Sequence, residues 1–298
     1  MNGIINVRKE KGFTSFDVVA KLRGILKMKK IGHTGTLDPD ATGVLPVCVG
    51  KATRVCDLLT NKDKEYEAVM LLGTVTDTQD MSGQILSSNP VTVSALEVEA
   101  CVLDFVGTYE QTPPMYSALK VNGQKLCDLA RAGIEVERKS RTVQIYKIEL
   151  LEMKLPRVRM RVACSKGTYI RTLCQDIGER LGCGACMESL VRTRVSDFTL
   201  EDARTLSEIE VIVKEDRLPE ILQPVDTVFL QLPKAVVSNQ YQSLLYNGNK
   251  MAIACCTLME GTKEAEQIRV YDEESRFIGI YEYQKEAELL KPIKLFME

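Results

Sequence analysis

The sequence predicts an α+β fold: a mixed, mainly antiparallel sheet flanked by helices, followed by a small C-terminal β domain. Strand-like and helix-like segments alternate in the first part of the chain without the regular strand–helix repeat of a parallel sheet. Three prolines fall within residues 218–233, and only short strand-like runs separated by turn residues come after them. We therefore predict two domains, residues 1–232 and residues 233–298.

The first predicted elements surround a glycine-rich loop. Residues 4–7 have the composition of a short strand, and Ser15 is expected to cap a helix with four apolar side chains on one face, Phe16, Val19, Leu22 and Leu26. Residues 31–43 contain three glycines and a proline, which predicts a loop, and an apolar run over residues 44–49 follows.

The remaining elements follow from apolar periodicity. A period of two predicts strands, and spacings of three and four residues predict helices. The predicted strands are residues 66–72, 143–151, 158–164, 267–271 and 277–281, and the predicted helices are residues 94–105 and 168–181.

The composition excludes several kinds of chemistry. The 298 residues include 39 Lys and Arg, 41 Asp and Glu, and one His. A single imidazole cannot build a metal site that needs two or three histidines, and it allows at most one histidine-dependent proton transfer. The chemistry must therefore depend on carboxylate, Tyr, Lys, Arg or Cys side chains.

The cysteines and the lack of long apolar runs indicate the compartment. Ten cysteines are scattered among apolar neighbours, which is typical of reduced core thiols. Cys183 and Cys186 have the spacing of a redox or zinc motif, but no second such pair is present, so we interpret them as structural thiols. No apolar run approaches the roughly 18 residues of a membrane span, and no signal-peptide core is present. We expect a cytoplasmic protein without membrane contact.

Charge is distributed unevenly, although the net charge is only -2. Residues 8–30 carry eight basic and two acidic side chains, and residues 154–171 carry six basic and none acidic, whereas residues 201–226 carry three basic and eight acidic. The basic runs flank the glycine-rich loop and residues 164–171. We therefore predict that they form a shared cationic surface around one cleft. The alternative is that they are ordinary charged faces exposed to solvent.

Asp38 is the candidate reactive group of the glycine-rich loop. Pro39 restricts its own backbone and that of Asp38, so the carboxylate is held and can act as a nucleophile or a base. The alternative is a turn-forming or helix-capping aspartate. Asp38, Asp40 and Thr42 also match the pattern of aspartyl-phosphate phosphatases, but that class places a hydrophobic strand directly before the first Asp, whereas Gly, His and Thr residues precede Asp38.

The loop and several further segments resemble the bacterial tRNA pseudouridine-55 synthases, the B family of pseudouridine synthases. The similar segments occur in the order of the family across residues 3–230. They are Lys9, Gly12, Thr14 and Ser15; residues 32–39 (GHTGTLDP) and 41–43; 64–66 (KEY); 76–78 with Asp80 and Gly83; 111–120 (QTPPMYSALK); 164–172 (CSKGTYIRT); and 182–185 through Leu190 and Arg192. The tail is similar to the PUA-like RNA-binding domain that follows the catalytic domain in this family.

The resemblance implies the pseudouridine synthase fold and an isomerase that acts on the uridine at position 55 in the T-loop of tRNA, without a cofactor or a metal. In that reaction the bond from N1 to C1′ breaks and the base is rejoined through C5. The family's catalytic aspartate corresponds to Asp38. The resemblance further implies that Arg171 pairs with Asp38 and keeps it charged, and that Tyr66 stacks on the target base and helps to remove the C5 proton.

The resemblance also implies residues that bind the substrate, the T-arm stem–loop of tRNA. Tyr169 and Leu190 correspond to walls of the base pocket, and His33 to a residue that packs against the rearranged T-loop bases after the uridine flips out. Lys9 and Lys120 are expected to bind RNA; Lys120 lies in a segment that forms a flexible lid in the family. We expect the protein to be a monomer.

Four positions depart from the usual family pattern: Glu10, Asp40, Cys186 and Val191. A second carboxylate beside Asp38 would raise its pKa, but Pro39 favours opposite orientations, so Asp40 is expected to point away. Because Asp38, Tyr66 and Arg171 are intact, an isomerase is favoured over the alternative, a protein that binds or refolds tRNA on the same fold without catalysis.

Overall fold

The structure, a computed structural model, describes residues 1–259, 261–262 and 265–297. Twenty strands in this part of the chain are β1 (Gly3–Lys9), β2 (Ile31–His33), β3 (Thr42–Val49), β4 (Lys64–Leu72), β5 (Thr74–Thr76), β6 (Ile85–Ser88), β7 (Gly107–Gln111), β8 (Lys120–Val121), β9 (Gln124–Lys125), β10 (Arg141–Lys154), β11 (Arg157–Cys164), β12 (Ala185–Val195), β13 (Phe198–Thr199), β14 (Leu222–Gln223), β15 (Lys234–Val237), β16 (Met251–Ala252), β17 (Cys256–Leu258), β18 (Gln267–Asp272), β19 (Phe277–Gln284) and β20 (Leu289–Leu295). The α-helices are α1 (Ser15–Ile25), α2 (Cys56–Thr60), α3 (Ala95–Leu103), α4 (Leu126–Arg131), α5 (Ile170–Arg180), α6 (Leu206–Lys214) and α7 (Gln242–Tyr246). Every strand and helix predicted from periodicity is confirmed, with its ends shifted by a few residues.

Ten strands form the first sheet, which is mixed and mainly antiparallel as predicted. Its order is β14-β1-β3-β12-β4-β11-β10-β7, with β2 paired to β3 and β13 paired to β12. The contact of β3 with β12 is parallel and pairs Thr42 with Val191. Because the glycine-rich loop runs directly into β3, this contact brings the loop next to the middle of β12.

The start of α1 differs from the prediction. Thr14, not Ser15, is the N-cap: its hydroxyl accepts the Asp17 N–H at 3.0 Å, and the Asp17 carboxylate accepts the Thr14 N–H at 2.8 Å. The predicted apolar face is also wrong at one position, because Phe16 is 63% exposed. The buried stripe instead runs through Ser15, Val18, Val19 and Leu22.

Helices cover the first sheet in two groups. Residues of α1, α6, β1 and β3 form one hydrophobic cluster, which includes Leu22 and Ile209. Residues of α3, α5, β4, β10, β11 and β12 form another, which includes Leu37, Tyr66 and Leu190. Since each fully buried apolar side chain contributes roughly 1.5–3 kcal/mol, the packed core fixes Tyr66 and Leu190 of the predicted site, and Leu37, the residue before Asp38.

The C-terminal residues form a second sheet of six strands in the order β16-β20-β19-β18-β15-β17. In chain order, the last strand of the first sheet is β14 and the first strand of the second is β15, on either side of residue 232. Phe229, Ile280 and Phe296 share one hydrophobic cluster with Ile4 and Val44. The two sheets are therefore joined by a common core, and the division into two domains stays a prediction.

The structure bears on the predictions about cysteines, membrane spans and metal sites. All ten cysteines are free thiols, and Cys183 and Cys186 are buried, in agreement with a structural role. None of the described helices is long and apolar enough to cross a membrane. Within the described residues, no group of three or more His, Cys, Asp and Glu side chains is placed to hold a metal ion.

Candidate active site

The loop that carries Asp38 is fixed on both sides of that residue. Leu37 is buried, and its N–H donates to the Ser15 hydroxyl at 2.9 Å. The carbonyl of Pro39 accepts the Gly12 N–H at 2.9 Å. The Asp38 carboxylate is therefore presented by backbone that is anchored to the first turn of α1 and to the segment before it.

Lys9 anchors the same loop from the end of β1. Its side chain is fully buried, and its Nζ donates to the carbonyl oxygens of Glu10, Pro39 and Ala41 at 3.1, 3.0 and 2.5 Å. Burial lowers the pKa of Lys9 to about 8, and Asp38 opposes the shift. The prediction that Lys9 binds RNA does not agree with this position, because its three N–H groups are already donated to backbone oxygens of the protein.

Arg171 pairs with Asp38, which confirms the predicted contact. It lies in the first turn of α5 and is buried, with its Nε 3.0 Å from one Asp38 oxygen and its Nη2 3.4 Å from the other. The remaining N–H groups donate to the carbonyls of Tyr116 at 2.8 Å and Thr78 at 3.0 Å. These contacts hold the planar guanidinium in one orientation toward the carboxylate.

The pKa of Asp38 reflects a competition between burial and charge. Burial raises the pKa above its ordinary value; Arg171 and Lys9 lower it, and Asp80 and Asp40 raise it. The sequence led us to expect that Arg171 keeps Asp38 charged, and Arg171 does act in that direction, but desolvation is the larger effect. The Asp38 side chain remains 39% exposed, so it is accessible to solvent.

Asp40 points away from Asp38, as predicted. Its side chain is 60% exposed and lies 3.8 Å from the Lys11 ammonium. The strand before Asp38, β2, ends at His33, and the intervening residues form a loop. The geometry of an aspartyl-phosphate phosphatase, a strand leading directly into two cooperating carboxylates, is therefore not present at this loop.

Asp80 is a second carboxylate at Arg171 that the sequence analysis did not select. One of its oxygens lies 3.7 Å from Arg171 Nη1, while the other accepts the Thr78 hydroxyl at 2.7 Å and the Ser82 N–H at 3.0 Å. It was visible in the sequence only as part of a segment similar to the family. The Arg171 guanidinium is therefore within ion-pair distance of two carboxylates, those of Asp38 and Asp80.

Tyr66 lies in β4 beneath the loop, directly opposite Arg192 of β12. Its side chain is 9% exposed, and burial raises the pKa of Tyr66 to about 12. The charge of the neighbouring Arg192 guanidinium opposes this shift. At neutral pH the phenol is therefore protonated, with a cation beside its oxygen.

Arg192 was quoted in the sequence only as part of a motif, but it connects Tyr66 to the loop. It is 1% exposed, and its Nε donates to the Val44 carbonyl at 2.7 Å. Its Nη atoms lie 3.4 Å from the Thr36 carbonyl and 3.5 Å from that of Gly35. Gly43 has a φ of +107°, and a Cβ there would lie 2.2 Å from the Arg192 carbonyl, so only glycine permits this approach.

The two predicted pocket walls occupy different depths. Leu190 is 7% exposed in β12 and pairs with Ala68 of β4, next to Tyr66 on the same face. Tyr169 is half-buried at the N-cap of α5, where its backbone N–H donates to Gln111 at 2.8 Å. The Arg141 guanidinium lies over the Tyr169 ring, 4.9 Å from its centroid. Leu190 is thus buried beside Tyr66, whereas Tyr169 is partly exposed.

His33 and Lys120 lie outside the group around Asp38. His33 is half-buried at the end of β2; burial lowers its pKa, and its Nδ1 accepts the Gly35 N–H at 3.4 Å. Lys120 is exposed in the β8–β9 hairpin. The segment that carries this hairpin touches the site through the Tyr116 carbonyl, which accepts from Arg171.

One predicted source of the cationic surface is wrong. Along β11 the basic side chains alternate with buried ones and form ion pairs on the outer face of the sheet: Arg157 with Glu188 at 2.8 Å, and Arg159 and Arg161 with Glu67 at 2.7 Å each. The sequence showed the basic run but not the glutamates of β4 and β12 that pair with it.

A mixed, mainly antiparallel sheet flanked by helices and followed by a second β sheet is the fold of a pseudouridine synthase. More specifically, the chain belongs to the TruB family of pseudouridylate synthases. Residues 23–170 match the N-terminal domain of that family, and residues 171–230 match the C-terminal domain of tRNA pseudouridylate synthase B.

Similar proteins span the whole chain. A tRNA pseudouridine synthase B from Lachnoclostridium phytofermentans is 57% identical, covering 100% of both chains, and one from Clostridium acetobutylicum is 45% identical, covering 99% of both. Among solved structures, a Cbf5-Nop10-Gar1 complex matches with a TM-score of 0.74 and 30% identity, covering 99% of this chain and 85% of that one. An H/ACA RNP bound to a substrate RNA containing 2'-deoxyuridine matches with a TM-score of 0.72 and 27% identity over the same shares.

Proposed function

We propose that this protein isomerises a uridine of tRNA to pseudouridine, at position 55 in the T-loop. The observation that carries the proposal is the Asp38 carboxylate, which is accessible to solvent and lies 3.0 Å from the buried Arg171 guanidinium. The names of the relatives, tRNA pseudouridine synthase B, support the same reaction and the same substrate.

The reaction needs a nucleophile and a route for one proton, but no oxidant or reductant. Asp38 attacks either the sugar or the base, the bond from N1 to C1′ breaks, and the base turns so that C5 bonds to C1′. C5 then loses its proton, and N1 gains one, so the product is an isomer of the substrate. Arg171 stabilises the charged form of Asp38 before the attack and when the carboxylate leaves again.

Tyr66 has a defined part in this proposal. Its ring stacks on the base, which contributes roughly 1–3 kcal/mol in single-stranded nucleic acid complexes. If Tyr66 also takes the C5 proton, its phenol must first give up its own, which a pKa of about 12 opposes. Arg192 provides the cation that stabilises negative charge on that oxygen.

The remaining predicted residues are proposed to bind the T-arm of tRNA. Leu190 and Tyr169 would enclose the flipped uridine, at the base and the rim of the pocket. His33 would pack against the bases that the uridine leaves, and Lys120 would contact phosphate from the proposed lid segment. The second sheet, as the predicted domain 233–298, would add RNA contacts.

We also propose that the protein acts as a monomer in the cytoplasm. The ten free thiols are typical of a reducing compartment. Analytical ultracentrifugation of the protein, alone and with tRNA, tests the monomer: a one-to-one complex is expected, and a dimer in both samples contradicts it.

The function is tested with an unmodified tRNA transcript labelled with tritium at C5 of uridine. Because C5 loses its hydrogen in the reaction, we expect one tritium released per tRNA and one pseudouridine, at the T-loop uridine. A matched transcript with cytidine at that position should release none. Binding of the transcript without tritium release would instead favour the alternative, a tRNA-binding protein without catalysis.

A further inference from the structure

Gln79, in the loop between β5 and β6, has an unusual backbone conformation. Its φ is +65°, in the left-handed region that residues other than glycine seldom adopt. Its side chain is nevertheless buried, with 9% exposed. Such a conformation persists only where the surrounding contacts hold it. The segment similar to the family, residues 76–78 with Asp80, does not include Gln79, and the proposed mechanism gives it no part.

The two neighbours of Gln79 contact the same nitrogen of Arg171. The Thr78 carbonyl accepts from Arg171 Nη1 at 3.0 Å, and one Asp80 oxygen lies 3.7 Å from that atom. A backbone carbonyl and a carboxylate two residues apart reach one nitrogen because the chain turns at Gln79. The left-handed backbone of Gln79 therefore supplies Arg171 with two of its partners.

Backbone hydrogen bonds to β12 hold this turn. The Met187 N–H donates to the Gln79 carbonyl at 2.9 Å, and the Met187 carbonyl accepts the Met81 N–H at 3.1 Å. The Gln79 N–H donates to the Thr76 carbonyl at 3.3 Å, within the loop itself. The main chain on both sides of Gln79 is therefore fixed to the central strand of the first sheet.

The Gln79 side chain joins the turn to α5. The Thr172 hydroxyl donates to Gln79 Oε1 at 2.8 Å, and Thr172, the residue after Arg171, is 3% exposed. Because both groups are buried, removing one would leave the other without a partner in a region of low dielectric constant. This hydrogen bond therefore ties the turn at Gln79 to the first turn of the helix that carries Arg171.

We propose that Gln79 is a positioning residue for the reaction. Together with Thr172, it holds the Arg171 guanidinium in the orientation in which Nε lies 3.0 Å from the Asp38 carboxylate. Because a displacement of about 1 Å in a reacting arrangement can lower the rate by about a hundredfold, this support is needed for turnover. The inference rests on the proposed function, because it concerns turnover at Asp38, but it assigns a residue that acts only through Arg171.

The proposal is tested with the full chain by the single-turnover rate at saturating protein and by the Kd for tRNA. Thr172→Val keeps the shape of the side chain and removes the donor, whereas Gln79→Met keeps the length and removes the acceptor. Each should lower the rate by about tenfold or more and leave Kd unchanged. Thr172→Ser keeps the hydroxyl and should restore the wild-type rate. The double variant should lose no more than either single variant, because both changes remove one contact.

Thr108→Val is the matched control. The Thr108 hydroxyl donates to Gln144 Oε1 at 3.2 Å on the edge strand β7, so the same change breaks the same kind of hydrogen bond at an exposed position. Its rate should equal that of the wild type. Chemical denaturation shows which variants fold, and Gln79→Met tests the contact from its other partner if Thr172→Val does not.

Three results would overturn the positioning role while the wild type remains active. They are a wild-type rate in the folded variants that lack the contact, additive losses in the double variant, and a loss with Thr172→Ser as large as with Thr172→Val. A wild-type protein that binds tRNA but forms no pseudouridine would contradict the proposed function instead.

Discussion

At the scale of single residues, the charge on Asp38 depends on neighbours with opposite effects. Arg171 lowers its pKa, whereas burial and Asp80 raise it, and the upward shift is larger. An Asp80 oxygen also lies close to Arg171, so Asp38 and Asp80 share one guanidinium. The pH at which Asp38 ionises is therefore set by its burial together with the charges of Arg171 and Asp80.

Two substitutions should move the acid limb of the pH–rate profile in opposite directions. Asp80→Asn removes a negative neighbour, so the pKa of Asp38 falls and activity persists to lower pH. Arg171→Gln removes the positive neighbour, so the limb moves to higher pH and the plateau also falls. The measurement is the single-turnover rate against pH for the three proteins. Shifts in the same direction, or none, would refute this account of the site.

The sequence predicted the candidate catalytic residues better than the residues that hold them in position. Asp38, Tyr66 and Arg171 lie in segments similar to the family, and the contact between Asp38 and Arg171 is confirmed. Lys9 was expected to bind RNA and Arg192 was given no role, because nothing in the local pattern shows that a cation will be buried against backbone carbonyls. Such partners come from distant parts of the chain.

At the scale of elements, neighbouring residues at the start of α1 have separate functions. Thr14 closes the capping box of the helix, and Ser15 accepts the buried N–H of Leu37, the residue before Asp38. One helix end therefore both begins a packed element and fixes the catalytic loop.

The substitutions Ser15→Ala and Thr14→Ala separate these functions. Thr14→Ala should lower the free energy of unfolding by about 1 kcal/mol and leave turnover unchanged. Ser15→Ala leaves the Leu37 N–H without its acceptor, at a cost of about 1–3 kcal/mol, and should lower turnover by about tenfold or more because Asp38 is displaced. Chemical denaturation and saturating single-turnover rates measure both. Equal turnover of the two variants would show that the Ser15 contact does not position Asp38.

The central strand β12 was the main element that periodicity did not predict. Its alternation is interrupted by register shifts between Met187 and Ser189 and between Arg192 and Arg194. It also carries Arg192 at a fully buried position, where a charged residue normally indicates the surface. The sequence of β12, which carries Leu190 and Arg192, therefore lacks the regular alternation that is typical of a core strand.

At the scale of the whole molecule, the near balance of charge is an average over different surfaces. The basic run of β11 is paired with glutamates, whereas exposed cations remain along α1 and the residues after it and in the β8–β9 segment. Sequence counts could locate basic runs, but only the strand order shows which are neutralised. Among these exposed cations, Lys120 is the one that the proposed function uses to contact phosphate.

The contacts between the two sheets could not be predicted from the proline-rich boundary in the sequence. The prolines indicated where the second sheet begins, but not that Phe296 packs in one cluster with Ile4, at the other end of the chain. Contacts between such distant positions depend on the fold and leave no local pattern. The second sheet is therefore part of the same packed body as the sheet that carries the site.

The most direct test of the central claim is to compare the wild type with Asp38→Asn. The substitution keeps the size of the side chain and one oxygen that can accept from Arg171, but it replaces the other oxygen with an NH2 donor and removes the negative charge. We measure pseudouridine formation in a tRNA transcript under single-turnover conditions, together with the Kd for the same tRNA. The account predicts an unchanged Kd and no pseudouridine with Asp38→Asn. Pseudouridine formed at the wild-type rate by that variant would contradict it.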